Sequence, residues 1–220
     1  MSVIGVLLSG CGKNDGSEIH EAVLTLLFLD RVGATVVCMA PDVDQYDVIN
    51  HLTGRPANEK RNVLVESARI ARGDIKALDD VQESDIDGLI IPGGFGAVKN
   101  LSDFAIKGAD ATINPDVQRL LKDMMAAKKP VGAICIAPAT LTRAVSDKRP
   151  EVTIGNDVGV AEKIESMGGR HMERPVDMIC LDEKNRLVTT PAYMLGPGIK
   201  DVAKGIEKLV DQVAEWAGEH

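Results

Sequence analysis

One stretch of the chain, residues 130–138, constrains its fold more than any other. Val131-Gly132-Ala133-Ile134 is a short apolar run of small and β-branched residues, which predicts a buried central strand. The strand pattern stops at Cys135, and Pro138 suits the first turn of a helix, where a proline's missing N–H costs nothing. A cysteine between a buried strand and a helix start lies on a sharp turn, with its sulfur at the positive end of the helix.

The position of Cys135 supports two interpretations equally. The helix end favours the thiolate, the form of cysteine that attacks electrophiles, so Cys135 is a candidate nucleophile. Alternatively, Cys135 is a small hydrophobic residue packed beneath the sheet, since free cysteines are among the most buried residues. Only other parts of the sequence can favour one of these interpretations over the other.

Strand and helix patterns alternate along the rest of the sequence. This alternation predicts an α/β fold with a doubly wound parallel sheet and helices on both faces. At 220 residues we expect one domain, spanning residues 1–220. The other predicted strands are residues 3–8, 34–40, 74–78, 87–91 and 152–155 and a hairpin of 178–181 with 187–190. The predicted helices are residues 16–31, 63–72, 115–128, 158–167 and 199–216, and residues 43–53 are expected to be irregular.

Three loops should meet at the carboxyl edge of such a sheet, where doubly wound proteins bind their ligands. They are Ser9–Gly16, Gly93–Gly96 and the turn at Cys135. The N–H groups of Gly94 and Ile136 then become candidate oxyanion-hole donors, because glycine has no side chain to keep a substrate oxygen away. The alternative is that the glycine pair merely makes a tight turn after a strand.

Two acids, Glu18 and Glu21, lie three residues apart at the start of the first helix. We interpret Glu18 as the capping-box partner of an N-cap Asp15. Glu21 aligns with apolar residues of the helix, and a buried carboxyl there would have a raised pKa and share a proton with a nearby thiolate. The alternative is a solvated helix acid, which we disfavour only because the preceding loop points toward Cys135.

The composition of the chain argues against some classes of binding partner. The formal charge of −8 and the aromatic content of 3% argue against nucleic acid and against an anionic membrane surface. No apolar run approaches bilayer length and the first residues lead straight into a strand, so we expect a cytoplasmic protein. The four cysteines have neither metal-ligand nor redox-motif spacing, and we expect reduced thiols and no bound metal.

The motifs GSEIHE (16–21), PGGFG (92–96) and AICIAP (133–138) resemble those of the PfpI-like branch of the class I glutamine amidotransferase-like superfamily. The likeness is closer still to its ElbB subfamily, whose signatures resemble SGCG (9–12), EIHEAV (18–23), VINHLTG (48–54) and TTPAYML (189–195). The resemblance spans nearly the whole chain. It implies a flavodoxin-like sandwich, a homodimer, and Cys135 as a nucleophile with Glu21 as its partner. For ElbB-like proteins it also implies a cofactor-independent glyoxalase, converting glyoxal to glycolate, and an association with isoprenoid biosynthesis.

Histidine is where the chain departs from the family. Relatives carry a histidine directly after the nucleophile, where this chain has Ile136, or in the strand after the elbow helix, where it has residues 152–156 without one. Glutaminases of the superfamily use a late His-x-Glu pair, but here residues 171–173 come too early in the chain. Neither His20 nor His51 lies where the family's histidine would. We therefore expect no Cys-His-acid triad, which argues against protease or glutaminase activity.

Three functions follow; one is a glutaminase subunit that feeds ammonia to a partner, and the other two come from different classes. The first is a glyoxalase in which the Cys135 thiolate attacks an aldehyde carbon of a small dicarbonyl. Gly94 and Ile136 hold the oxyanion, Glu21 moves the proton between carbon and oxygen, and water releases the hydroxy acid. The second is a regulatory protein whose oxidisable Cys135 senses oxidants with little catalysis.

Overall fold

The structure, a computed structural model, describes residues 2–219 and is built around a seven-stranded sheet. The strands are β1 (Val3–Leu7), β2 (Thr35–Ala40), β3 (Ile49–Asn50), β4 (Arg55–Pro56), β5 (Lys76–Ala77), β6 (Gly88–Ile91), β7 (Val131–Ile134), β8 (Glu151–Val152), β9 (Arg170–His171), β10 (Cys180–Asp182) and β11 (Leu187–Thr190). The central sheet has the order β10-β11-β7-β6-β1-β2-β5. Its described pairs are parallel except β10 with β11, which form the predicted hairpin.

Helices cover both faces of this sheet. They are α1 (Ile19–Arg31), α2 (Val63–Ile70), α3 (Gly96–Lys99), α4 (Phe104–Lys107), α5 (Pro115–Ala126), α6 (Ala137–Ala144), α7 (Val158–Ser166) and α8 (Ile199–Ala217). Helices α1 and α8 pack together on one face, and α5 and α6 pack on the other. The predicted α/β fold, a flavodoxin-like doubly wound sheet with helices on both faces, is therefore confirmed.

Side-chain alternation along the strands divides the core between the two faces. In β6, Ile90 packs in the cluster with α1 and α8, whereas Leu89 and Ile91 pack in the cluster with α5 and α6. Successive side chains of a strand point to opposite faces, so a strand covered on both sides is apolar at every position.

The order of the strands places three loops at one edge. From β1 the chain adds β2 and β5 on one side of the sheet, and it then returns to add β6, β7 and β11 on the other. The loops after β1, β6 and β7 therefore leave the same carboxyl edge. The N–H of Gly96 donates to the carbonyl of Gly16, and the N–H of Glu18 donates to the carbonyl of Gly93, each at 2.9 Å. The predicted convergence of these loops is confirmed.

Helix α1 begins later than predicted, because Asp15 is used elsewhere. Its N-cap is Glu18, whose carboxylate accepts a hydrogen bond from the N–H of Glu21 at 2.8 Å. The buried Asp15 carboxylate instead accepts from the N–H of Ile49 at 2.7 Å, which holds the β3–β4 hairpin against the first glycine-rich loop. The assignment of Asp15 as N-cap, with Glu18 as its capping-box partner, is therefore wrong.

Two other predicted segments differ from the structure. The strand expected at 152–155 is reduced to β8, which pairs with β9 outside the central sheet. Gly155 follows it with a φ of 93°, which is incompatible with an extended strand. Residues 43–53, expected to be irregular, include β3, whose hairpin with β4 is short.

Candidate active site

Cys135 lies on the predicted sharp turn between β7 and α6. Its φ is 64°, a left-handed conformation that residues other than glycine adopt only where the surrounding structure holds them. Its N–H donates to the carbonyl of Thr190 in the neighbouring strand β11 at 2.9 Å. Pro138 is the second residue of α6, as its missing N–H allows. Strand, turn and helix together hold the sulfur at the carboxyl edge of the sheet.

Two backbone N–H groups hydrogen-bond the Cys135 sulfur. They belong to Gly94 and Ile136, the two residues predicted to form an oxyanion hole. An oxygen on a carbon bonded to the sulfur would lie beside the same two donors. The arrangement therefore suits a negative charge that develops next to the sulfur.

The glycine pair after β6 is required by this close packing. A Cβ at Gly93 would collide with the Cβ of Cys135 and lie 2.6 Å from the Oε2 atom of Glu21. Gly94 has a φ of 92°, and a Cβ there would collide with the backbone N–H of Glu18. The glycine pair thus makes a tight turn and also lets its own backbone come close to Cys135. The two interpretations of the pair, a tight turn and a source of oxyanion-hole donors, are therefore compatible.

Glu21 is fully buried beside the thiol. Its Oε2 accepts from the N–H of Gly93 at 2.9 Å, its Oε1 accepts from the N–H of Tyr193 at 3.2 Å, and its carboxyl also hydrogen-bonds the side chain of Cys135. Burial raises the pKa of Glu21 to about 8, helped by the negative charge of Glu18 and opposed by these hydrogen bonds. The alternative of a solvated helix acid is therefore excluded for Glu21.

The thiol of Cys135 is not ionised by the turn that holds it. Burial raises its pKa well above the ordinary value, and the charge of Glu21 raises it further. The hydrogen bonds from Gly94 and Ile136 act in the opposite direction but are outweighed. The expectation that the helix start favours the thiolate is wrong here, because burial outweighs the effect of the helix start and its N–H groups.

A cavity of about 710 Å³ reaches the sulfur. Cys135 is only 7% exposed, but it lines this cavity together with Gly94 and Ile136. His20 and Tyr193 line it as well. The structure thus brings together Cys135, its acid and both donors, and leaves room for a small substrate.

The His20 imidazole is a feature of the cavity that its sequence position did not indicate. Its Nδ1 lies 2.7 Å from the hydroxyl of Tyr193. Tyr193 was not singled out from the sequence, although it falls within the motif 189–195. His51 and His171 do not line the cavity; the Nε2 of His51 accepts from the N–H of Asn14, and that of His171 accepts from the N–H of Ile154.

Residues 2–219 contain neither a cluster suited to a metal ion nor a membrane-spanning helix. No group of three or more His, Cys, Asp or Glu in this part of the chain is placed to hold a metal ion. Nor does the same part contain a helix with the length and apolarity that a membrane span needs.

A sheet of this topology, with a cysteine on a left-handed turn between strand and helix and a buried glutamate beside it, defines a protein of class I glutamine amidotransferase-like fold. A profile of the DJ-1/PfpI family matches residues 13–194, which contain Cys135, Glu21 and both oxyanion-hole candidates. The chain belongs to the DJ-1/PfpI family.

Several known proteins are similar over nearly the whole chain. The rat ES1 protein homolog, mitochondrial, is 44% identical over 98% of this chain and 84% of its own length. The zebrafish ES1 protein, mitochondrial, is 36% identical over 87% of this chain and 76% of its own. A crystal structure of an isoprenoid biosynthesis protein with an amidotransferase-like domain from Ehrlichia chaffeensis is 37% identical, covers 98% of this chain and 99% of its own, and gives a TM-score of 0.92.

The names of the curated relatives correct one prediction. The rat and zebrafish proteins are both named mitochondrial, as is a human protein named glutamine amidotransferase-like class 1 domain-containing protein 3 that is 44% identical. The expected cytoplasmic location, which rested on the absence of a targeting pattern, is therefore wrong.

Proposed function

We propose that the chain is a cofactor-independent glyoxalase of the ElbB type, which converts glyoxal to glycolate. One observation carries the proposal: the Cys135 thiol, in contact with a cavity, is hydrogen-bonded by a buried acid and by two backbone donors. An isomerisation of a small dicarbonyl needs a nucleophile, one proton-transferring group and an oxyanion site. The cluster supplies these three without a triad histidine.

The reaction begins with proton transfer from Cys135 to ionised Glu21 as the sulfur bonds one aldehyde carbon. The N–H groups of Gly94 and Ile136 stabilise the oxygen, which takes the proton back from Glu21 to give a neutral thiohemiacetal. Glu21 then removes the hydrogen of that carbon as a proton, and the electron pair moves into an enediol. Protonation of the second carbon gives a glycolyl thioester, which water hydrolyses to glycolate and the free thiol. No external oxidant or reductant is consumed.

The raised pKa of Glu21 sets the pH dependence of this chemistry. Glu21 acts as a base only when ionised, and its pKa is about 8. We therefore expect kcat/KM for glyoxal to rise about tenfold per pH unit below pH 8 and to level off above it. Steady-state kinetics between pH 6 and 9 measure this, and a midpoint near the ordinary pKa of glutamate would contradict the role of Glu21.

Substitution of the cysteine provides the decisive experiment. Cys135→Ser should abolish conversion of glyoxal to glycolate, and Glu21→Gln should reduce it by at least about 100-fold. Cys11→Ser is the matched control, because Cys11 is the more exposed thiol and does not line the cavity. Full turnover by Cys135→Ser would refute the mechanism.

A second candidate function is oxidant sensing, and the contacts of the sulfur favour it. Two N–H donors and a protonated Glu21 would hydrogen-bond the oxygens of an oxidised Cys135. The raised pKa of the thiol, however, slows the first oxidation step. Peptide mass spectrometry after mild peroxide treatment separates the two functions. Selective oxidation of Cys135 with negligible glyoxal turnover would favour the sensor.

Three wider expectations accompany the proposal. A homodimer is implied by the family resemblance, and sedimentation equilibrium tests it. We propose a mitochondrial location, which the names of the curated relatives support. A link to isoprenoid biosynthesis is named for the similar Ehrlichia chaffeensis structure, and it is transferred here only as a proposal.

A further inference from the structure

The proposed glyoxalase reaction ends in a hydrolysis for which no base has yet been assigned. Glu21 is fully buried behind the sulfur, where its two oxygens are held by the N–H groups of Gly93 and Tyr193. Hydrolysis of a thioester by water is accelerated by a group that removes a proton from the attacking water. That group must face the cavity rather than the interior.

Most polar side chains of the cavity are unsuited to this task. Glu18 and Asp157 are helix N-caps, whose carboxylates accept from the N–H groups of Glu21 and Val160 at 2.8 Å each. The lysines of the cavity, Lys13 and Lys163, are hydrogen-bond donors without an acceptor when charged. An imidazole is the group best matched to accept a proton from water near neutral pH.

His20 is that imidazole, and Tyr193 ties it to the nucleophile's acid. The Tyr193 hydroxyl lies 2.7 Å from His20 Nδ1, while its backbone N–H donates to Glu21 Oε1 at 3.2 Å. The rings of His20 and Tyr193 are 5.8 Å apart and tilted by 46°. His20 also precedes Glu21 directly in α1. Tyr193 therefore connects the His20 imidazole to Glu21, the acid beside Cys135.

The contact with Tyr193 leaves one ring nitrogen available. When Nδ1 carries the proton and donates to the tyrosine oxygen, Nε2 of His20 holds a free lone pair. Within residues 2–219, the only hydrogen bond of the His20 ring is the one made by Nδ1, and the side chain is exposed in the cavity. Nε2 is thus placed to bind a water molecule.

We propose that His20, positioned by Tyr193, is the general base of the hydrolytic half-reaction, an inference that rests on the proposed glyoxalase function. Nε2 takes a proton from water as its oxygen bonds to the thioester carbonyl carbon. The N–H groups of Gly94 and Ile136 hold the tetrahedral oxyanion. Its collapse breaks the carbon–sulfur bond, and His20 returns the proton to the Cys135 sulfur. One water is consumed, and the products are the hydroxy acid and the free thiol.

An activated ester separates this step from the earlier ones. p-Nitrophenyl acetate acylates a reactive cysteine in a burst of nitrophenolate, and the slower steady state then reports hydrolysis of the acetyl-enzyme. In His20→Gln the burst should persist, the steady state should fall about 100-fold, and intact mass should show acetylated Cys135 accumulating. Added imidazole should restore hydrolysis in His20→Ala, which a purely structural role would not allow.

Two further variants make the test specific. Tyr193→Phe keeps the N–H that bonds Glu21 and removes only the hydroxyl, so hydrolysis should slow about tenfold while the burst is retained. His171→Gln removes a histidine outside the cavity and should match the wild type. Hydrolysis at the wild-type rate in His20→Gln, or an equal loss of burst and steady state, would overturn the role of His20.

The glyoxal reaction distinguishes failure of this inference from failure of the proposed function. With glyoxal, His20→Gln should accumulate a glycolyl adduct on Cys135 that the wild type does not. If the wild type converts no glyoxal but His20→Gln still hydrolyses its acetyl-enzyme slowly, the glyoxalase function fails and the role of His20 stands. If no protein forms an acyl-enzyme with either reagent, both are wrong.

Discussion

Cys135 and Glu21 set each other's protonation state. Burial raises the pKa of both groups, and each ionised form would place a negative charge beside the other. With a pKa of about 8, Glu21 is mostly neutral at pH 7, and the thiol is neutral as well. Most molecules therefore avoid a buried charge at pH 7, and the fraction with ionised Glu21, which alone can take the thiol proton, grows as the pH approaches 8.

The reactivity of the thiol should report this coupling. We expect Glu21→Gln to lower the rate of Cys135 alkylation by iodoacetamide about tenfold at pH 8, because the thiol is protonated and glutamine cannot take its proton as the sulfur attacks. Peptide mass spectrometry over time measures the rate for each cysteine. Cys11, in the same sample, should react equally in both proteins. Faster alkylation of Cys135 in the variant would mean that the charge of Glu21 hinders the thiol more than its carboxylate activates it.

The buried acid should also make stability depend on pH. The pKa of Glu21 rises from 4.5 to about 8 on folding, so the native state holds the extra proton between these values. The wild type should therefore lose up to about 5 kcal/mol of unfolding free energy as the pH rises through this window. The unfolding free energy of Glu21→Gln should not fall in this pH range for that reason.

Urea unfolding at pH 6 and pH 9 measures the difference between the two proteins. At pH 6 the variant should be less stable by about 1–3 kcal/mol, because the glutamine amide cannot accept from both the Gly93 and the Tyr193 N–H groups. At pH 9 the two proteins should have equal unfolding free energies, or the variant should be the more stable. Parallel pH profiles for the two proteins would show that Glu21 does not titrate in the native state.

The sequence predicts only part of this site. Cys135, Glu21, Gly94 and Ile136 follow from it because adjacent parallel strands end at one edge, which brings their loops together. The bond between His20 and Tyr193 joins residues 173 positions apart and depends on a side-chain direction that no local pattern encodes. The thiol pKa was predicted in the wrong direction because the helix end is a local feature, whereas burial is set by the whole fold.

At the level of elements, the loop after β6 is the most constrained connection of the site. Gly93→Ala should cost at least about 2 kcal/mol and impair acylation of Cys135, because its Cβ would meet both the Cys135 Cβ and, at 2.6 Å, Glu21 Oε2. Gly159→Ala in α7 is the matched control, since its Cβ meets only an Asp157 oxygen at 3.5 Å. It should stabilise the protein by about 0.5–1 kcal/mol.

Urea unfolding and the nitrophenolate burst measure these two effects. Wild-type stability and a full burst in Gly93→Ala would show that the loop can move away from the site.

The boundaries of helices and strands are harder to predict from the sequence than their presence. Helix α1 illustrates this, since Asp15 and Glu18 are both good N-cap residues and only the distant Ile49 decides between them.

Across the whole molecule, the sheet separates two core layers that share its strands. Leu209 of α8 is fully buried on one face, and Leu120 of α5 is fully buried on the other. Each contacts a different side of the same strands, so neither layer has a surface to pack against without the sheet. This arrangement predicts that residues 1–220 unfold as one cooperative unit.

Truncation of one leucine in each layer tests this cooperativity. Leu209→Ala and Leu120→Ala should each cost about 2–5 kcal/mol, because each opens a cavity that the surrounding core cannot fill. Both should lower the midpoint of one single calorimetric transition, with equal calorimetric and van't Hoff enthalpies. In the double variant the two losses should add to within about 0.5 kcal/mol, because the sheet keeps the leucines from sharing contacts. A second transition in either single variant would mean that the two layers are separate folding units and that the chain is not one domain.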